Sequence, residues 1–364
     1  MNEKEKNIKS ALNVQAGIEQ PSSVNPMLSR SMSRFKKGKI DGKQLVDGIL
    51  KGDRSLLSRG ITLVESSLPK DKDLAKEIIQ SCLPFAGNST RIGITGVPGV
   101  GKSTFIEAFG NYLIDQGKKV AVLAIDPSSK RTKGSILGDK TRMESLSVNK
   151  NAFIRPSASA GTLGGVARKT REAIILCEAA GFDIILIETV GVGQSETAVA
   201  QIVDFFLLLM LAGGGDELQG IKRGIMEMAD MIIINKADGD NINKANLAKR
   251  EYENALHLFP ALKNGWIPKV QTASALNSNG MEESWVTMNE YLSLTKENGS
   301  FESRRTDQSG EILMESIEAT LLDSFLNKEE IKARLKQINN EIQSGHLSPY
   351  DAADNLLKLY FGNK

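Results

Sequence analysis

Residues 96–104 read Gly-Val-Pro-Gly-Val-Gly-Lys-Ser-Thr, a complete GxxxxGK[ST], and the architecture is read outward from this stretch. Glycine at 96, 99 and 101 frees the backbone to close round a phosphate with its N–H groups turned inward. Lys102 supplies a cation for the β and γ oxygens, and Ser103 a hydroxyl for a magnesium ion. The pattern carries this meaning between a strand and a helix, and it stands here between the apolar run Arg91 to Thr95 and a helix-length segment. The candidate phosphate contacts are therefore Gly96, Val97, Pro98, Gly99, Val100, Gly101, Lys102, Ser103 and Thr104.

Six further runs of the same kind follow at helix-length intervals: Val120 to Ile125, Phe153 to Arg155, Ile184 to Glu188, Phe205 to Leu211, Met231 to Asn235 and Lys269 to Thr272. They are apolar nearly throughout rather than alternating, as strands covered on both faces by crossover helices are. The expected fold is α/β, a mainly parallel doubly wound sheet whose ligands sit at the carboxyl ends of its strands.

Around this domain, placed at 87–295, the composition changes. Residues 1–35 are polar and aperiodic and read as a flexible arm. Residues 36–86 carry Leu45, Ile49, Leu57, Ile61, Val64, Ile78 and Ile79 at helical spacing, broken at Gly52-Asp53 and Pro69, and read as a helical appendage. Residues 296–309 (KENGSFESRRTDQS) are polar and read as a linker, and 310–364 carry amphipathic stripes of a helical arm. Ser348, Pro349 and Asp351 form the start signal of its last helix. The stripes need an apolar partner, either the core or a second subunit, and a homodimer is the preferred expectation.

Composition removes several function classes. The 46 basic against 44 acidic residues leave +2 over 364 residues, and aromatics make up 5%, which argues against a nucleic-acid or anionic-membrane surface. The longest apolar run, Phe205 to Ala212, is far short of the ~20 residues that span a bilayer. Cys82 and Cys177 are isolated, and His257 and His346 are the only histidines, so disulfide scaffolds and zinc clusters are excluded. The first twenty residues alternate charges without an apolar core, and a cytoplasmic location is expected.

Base selection is read from Asn235-Lys236-Ala237-Asp238, closing the run Met231 to Asn235. An ionised Asp238 accepts from the ring N–H and 2-amino group of guanine, whereas adenine presents an acceptor and no amine there, so GTP is expected over ATP. Ser274, Ala275 and Leu276 follow the last run, with the Ala275 N–H a candidate for guanine O6. Three acids compete for magnesium and the attacking water: Asp126 and Asp139, and Glu188 at the head of Glu188-Thr-Val-Gly191, whose glycine N–H would meet the γ-phosphate. Neither histidine is near these motifs, so hydrolysis should depend on positioning and electrostatics. Gly213 to Ile225 combines three consecutive glycines with Asp216, Glu217, Gln219, Lys222 and Arg223. It is read as a loop that a partner fixes so that Gln219 or Lys222 approaches the transferred phosphoryl group.

The stretches GVPGVGKST, AIDPSS, GSILGDKTRM, RPSASAGTLGGVA, ETVGVGQSE, GGGDELQGIKRGI and NKAD resemble the methylmalonyl-CoA mutase-associated GTPases, the MeaB/MMAA/ArgK-type G-protein chaperones of the SIMIBI class. The likeness runs from about Gly52 to the end of the chain. It implies a magnesium-dependent GTPase, usually dimeric through its C-terminal helices, that binds an adenosylcobalamin-dependent acyl-CoA mutase, gates cofactor loading and protects the mutase. It also implies magnesium and switch roles for Asp126, Asp139 and Glu188, and partner sensing by Asp216 to Ile225. No DxHxxG surrounds either histidine, so stable cobalamin binding by this chain is not expected. Two rivals remain: a P-loop small-molecule kinase, and a nickel-delivery GTPase that would need a Cys/His cluster.

Overall fold

A computed structural model describes residues 41–66, 68–125, 143–156, 163–189, 195–213, 223–260 and 262–362. The chain divides into Met1–Asp41, of which only Asp41 is described, and Gly42–Lys364, which carries everything that follows. The expected arm at 1–35, Asp126, Asp139, Gly191 and Asp216 to Lys222 lie outside the described residues.

Three helices open the larger unit: α1 (Gly42–Leu50), α2 (Arg54–Glu65) and α3 (Pro69–Cys82). The breaks fall where the sequence places them. Gly52 turns the chain with φ of 75°, Asp53 caps α2 by accepting from the N–H groups of Ser55 and Leu56, and Pro69 begins α3. The apolar stripe Leu45, Ile49, Leu57, Ile61, Val64 and Ile78 is buried, so the appendage has a core side.

The α/β body then runs β1 (Thr90–Gly96), α4 (Lys102–Asp115), β2 (Val120–Ile125), α5 (Glu144–Val148), β3 (Ala152–Pro156), α6 (Leu163–Ala179), β4 (Ile184–Thr189), α7 (Ser195–Ala200), β5 (Phe205–Leu211), α8 (Arg223–Met228), β6 (Met231–Asn235), α9 (Ile242–Leu256), β7 (Lys269–Thr272) and α10 (Met281–Glu297). All seven expected runs are strands. They form one sheet in the order β3-β2-β4-β1-β5-β6-β7, and every pairing is parallel. Central strands β2, β4 and β6 are buried along their whole length, as their uninterrupted apolar sequence requires. β1 lies mid-sheet, where the chain crosses from one side to the other, and its carboxyl end opens directly onto residues 96–104.

The expected linker at 296–309 is corrected by the structure. After a turn at Gly299 (φ 75°) the chain is helical from Ser300, in α11 (Ser300–Asn327). Its polar residues are committed to partners on the body. Arg305 bonds Asp204 through Nε (2.8 Å) and Nη2 (2.7 Å) and reaches the carbonyls of Gly87 and Ser89. Arg304 donates to the Tyr291 hydroxyl at 2.9 Å, and Gln308 Nε2 to the Val203 carbonyl at 2.9 Å. Composition reads such a stretch as solvated; buried counter-charges make it the root of the arm instead.

Two helices complete the arm, α12 (Glu329–Gln343) and α13 (Pro349–Phe361), the latter capped by Ser348 through the Asp351 N–H with the expected proline at its first position. Ile331, Ile338, Ala352 and Leu356 are buried together, against Phe325, Leu335 and Tyr360. The arm therefore has a small core of its own, while Leu313, Met314, Ile317, Leu321 and Leu322 on α11 remain exposed. Among the described residues no helix is long and apolar enough to cross a membrane.

Candidate nucleotide site

The phosphate loop leaves β1 with Gly96 at φ 154° and passes Gly99 and Gly101 at φ 80° and 91° before α4 begins at Lys102. Space constrains two of these glycines as well as conformation, Gly96 severely and Gly101 more mildly. A Cβ at Gly96 would lie 2.4 Å from the Leu209 carbonyl oxygen, and one at Gly101 would lie 3.0 Å from Asn235 Nδ2. The loop thus closes onto the sheet and leaves the first turn of α4 pointing at whatever occupies it.

Lys102 is buried and curls back over the loop, its Nζ donating to the carbonyls of Gly96 (2.8 Å) and Val97 (3.3 Å). Burial pulls its ammonium below the usual lysine range, while the carboxylates of Glu188 and Glu196 act in the other direction. A cation already desolvated and held by replaceable carbonyl contacts suits phosphate oxygens. Ser103 Oγ donates to Glu188 Oε1 at 3.2 Å, so the first turn of α4 and the end of β4 bring two hard oxygen donors face to face. That donor set fits magnesium rather than a soft metal. Among the described residues no group of three His, Cys, Asp or Glu side chains converges on a metal position.

The other half of the site is built by β6 and β7. Asn235 is buried and spans two loops: its Nδ2 donates to the Val100 carbonyl at 2.8 Å, and its Oδ1 accepts from the Ala275 N–H at 3.3 Å. Lys236 takes φ of 60°, a conformation few side chains adopt, and its Nζ donates to the Gly99 carbonyl at 2.8 Å. Asp238 Oδ2 accepts from Ser274 Oγ at 2.5 Å, which joins the loops that follow β6 and β7. Gly101, Thr104, Asn235, Lys236, Asp238, Ala275 and Leu276 line one cavity of about 250 Å³. Gly101 and Thr104 of the expected phosphate residues thus face the same cavity as Asn235, Lys236, Asp238, Ala275 and Leu276 of the expected base residues.

Within that group the geometry assigns finer parts than the motif alone. Asn235 and Lys236 hold the phosphate loop from behind, and the Ala275 N–H is engaged with Asn235 by a long bond. Sequence reasoning passed over Glu196, which is buried in the first turn of α7 and whose charge reaches Lys102. Its signal was available: it is the acid that closes the glycine-rich stretch ETVGVGQSE. It also passed over a buried contact between Thr95 and Thr189, which no motif marks.

A parallel sheet with a phosphate loop on its central strand and a cavity lined by Asn235, Lys236 and Asp238 two strands away has the layout of a P-loop nucleotide-binding protein. The chain belongs to the family described as methylmalonyl-CoA mutase-associated GTPase MeaB, whose family model matches residues 57–330. It is 47% identical over 298 residues to the GTPase ArgK of Escherichia coli, covering 82% of this chain and 90% of that one. It is 46% identical over 327 residues to the mouse protein named methylmalonic aciduria type A homolog, mitochondrial, covering 87% and 79%. A solved structure named LAO/AO transport system kinase shares the fold with a TM-score of 0.70 and 37% identity, over 89% of this chain and 99% of that one. This chain is a GTPase with the fold of that family.

Proposed function

We propose that the chain is a GTP-hydrolysing G-protein chaperone that binds an adenosylcobalamin-dependent acyl-CoA mutase, methylmalonyl-CoA mutase first among candidates, and gates and protects its cofactor in the cytoplasm. The family match across 57–330 carries this reading, because it spans the nucleotide site and the root of the arm together.

In this proposal residues Gly96 to Thr104 cradle the phosphates and Asp238 reads guanine, with Ser274, Ala275 and Leu276 closing the base pocket. Magnesium would be held by Ser103 and by Glu188 through water, with Asp126 and Asp139, and would offset the charge of the β and γ phosphates when bound. Lys102 neutralises the same oxygens, the Gly191 N–H meets the γ-phosphate, and Lys222 arrives when the mutase fixes its loop. The exposed row Leu313, Ile317 and Leu321 pairs with that of a second copy, so light scattering is expected to report a dimer at micromolar concentration.

The test is phosphate release from GTP with and without purified methylmalonyl-CoA mutase, run without any phosphoryl acceptor because one solved relative carries the name of a kinase. Free phosphate, released slowly alone and roughly 10³-fold faster with the mutase, is the expected result, and Lys222→Ala keeps binding while losing most of that stimulation. No stimulation by any acyl-CoA mutase, and no co-elution in the presence of a GTP analogue, would overturn the partner and leave the GTPase.

A further inference from the structure

Three strands deliver neighbouring pieces of the site. β1 runs into the phosphate loop at Gly96, β2 ends at Ile125 just before Asp126, and β4 carries Glu188 and leads toward Gly191. Where they leave the sheet, Thr189 Oγ1 donates to Thr95 Oγ1 at 2.8 Å, and both side chains are completely buried. Thr95 is one residue ahead of Gly96, and Thr189 directly follows Glu188. Ile94 is in register with Glu188, and Thr189 is in register with Ile125, so Thr189 sits where all three loops depart.

A fully buried pair of hydroxyls calls for a reason in a sheet whose buried side chains are mostly apolar. Valine has nearly the same shape and carries no desolvation cost, so packing alone would favour it at both positions. What the hydroxyls add is direction. They fix the lateral distance between the root of the phosphate loop and the root of the Glu188 loop at one hydrogen-bond length. A second contact between these regions, Ser103 to Glu188, is longer at 3.2 Å and lies among the groups that a nucleotide and its metal would rearrange. The threonine pair lies inside the sheet with both side chains fully buried.

We infer that Thr95 and Thr189 form a positioning link that holds Glu188, at the end of β4, in hydrolytic register with the phosphate loop. Holding a product requires the phosphate loop and the base pocket, which Asn235 and Lys236 already tie together. Hydrolysis requires in addition that groups from the second loop meet the γ-phosphate, and a displacement near 1 Å there is costly. The link should therefore act on turnover and leave product affinity alone. The inference rests on the nucleotide site proposed above and is independent of the mutase.

Thr189→Val tests it in the full-length chain. The turnover number for GTP is expected to fall about tenfold while the dissociation constant for GDP stays within about twofold. Thr189→Ser, which keeps the hydroxyl, should recover most of the rate. Thr95→Val should reproduce the loss, and the double variant should be no slower than the slower single one, since both remove one interaction. Unchanged turnover in Thr189→Val, or loss of turnover and GDP affinity together without rescue by serine, would overturn the link in favour of simple packing. Glu188→Gln separates the two levels. If it abolishes hydrolysis while Thr189→Val does not change it, the site stands and the link fails; if it too leaves hydrolysis unchanged, the site reading fails first and the link with it.

Discussion

At the carboxyl edge of the sheet, Lys102, Ser103, Glu188 and Asp238 rest on contacts with loop carbonyls and with side chains from neighbouring loops. At the amino edge the same residue types behave differently. Asp204 accepts from the Arg91 N–H and from two nitrogens of Arg305, while Asp230, just before β6, accepts from the Phe206 N–H and lies 3.4 Å from Arg304 Nη1. Arg91 and Glu178 form a third pair there. The amino-edge carboxylates of Asp204 and Asp230 close both on arginine and on strand backbone, so they join the arm to the body. The carboxyl-edge groups hold contacts that phosphate, metal or base can replace. Charge alone does not distinguish a working site from an architectural one; what each charge is bonded to does.

The largest effect expected from this contrast is on catalysis. Lys102→Ala should lower GTP turnover by roughly 10³-fold, since a desolvated cation beside the transferred phosphoryl group is lost. Its thermal midpoint should hold or rise, because the variant no longer buries an ammonium. Unfolding of that variant would make the carboxyl edge architectural after all. The complementary change, Arg305→Ala, leaves Asp204 buried without its two arginine side-chain hydrogen bonds and should cost about 3 kcal/mol in denaturant unfolding, with nucleotide affinity of the folded fraction unchanged. A stable Arg305→Ala with weakened GTP binding would reverse the assignment of the two edges.

Asp238→Asn puts a donor where guanine's 2-amino group needs an acceptor. GTP affinity should drop roughly 10²-fold and xanthosine triphosphate should gain, measured by competition with a fluorescent nucleotide. Smallest is Glu196→Gln. Glu196 opposes the burial that depresses Lys102, so removing its charge lowers the lysine further. Lys102 is the protonated participant, and the alkaline limb of kcat/KM for GTP should therefore move to lower pH. An unmoved limb would place Glu196 with the architectural charges.

Much of this was readable in the residues because each signal was local. A buried parallel strand must be apolar along its length, and the runs that became β2, β4, β5 and β6 nearly are, whereas the edge strand β7 (Lys-Val-Gln-Thr) is polar and only partly buried; a phosphate loop must be glycine-rich between a strand and a helix, and GVPGVGKST is. The caps at Asp53 and Ser348 were legible for the same reason, since a cap bonds its own neighbours.

What the chain's order could not disclose are the bonds between positions distant along it. Arg304, Arg305 and Gln308 look solvated until folding sets Asp204, Tyr291 and the Val203 carbonyl against them, more than a hundred residues away for two of the three. The arm looked coreless until α12 and α13 closed Ile331, Ile338 and Leu356 onto one another. Thr95 and Thr189 are two ordinary threonines until the sheet order places β4 beside β1. Sequence alone determined the type of most elements, the root of α11 excepted, because backbone geometry is set largely by neighbours. Tertiary structure decided which polar residues are tied and which are available, because burial and pairing depend on partners the chain meets only after it has folded.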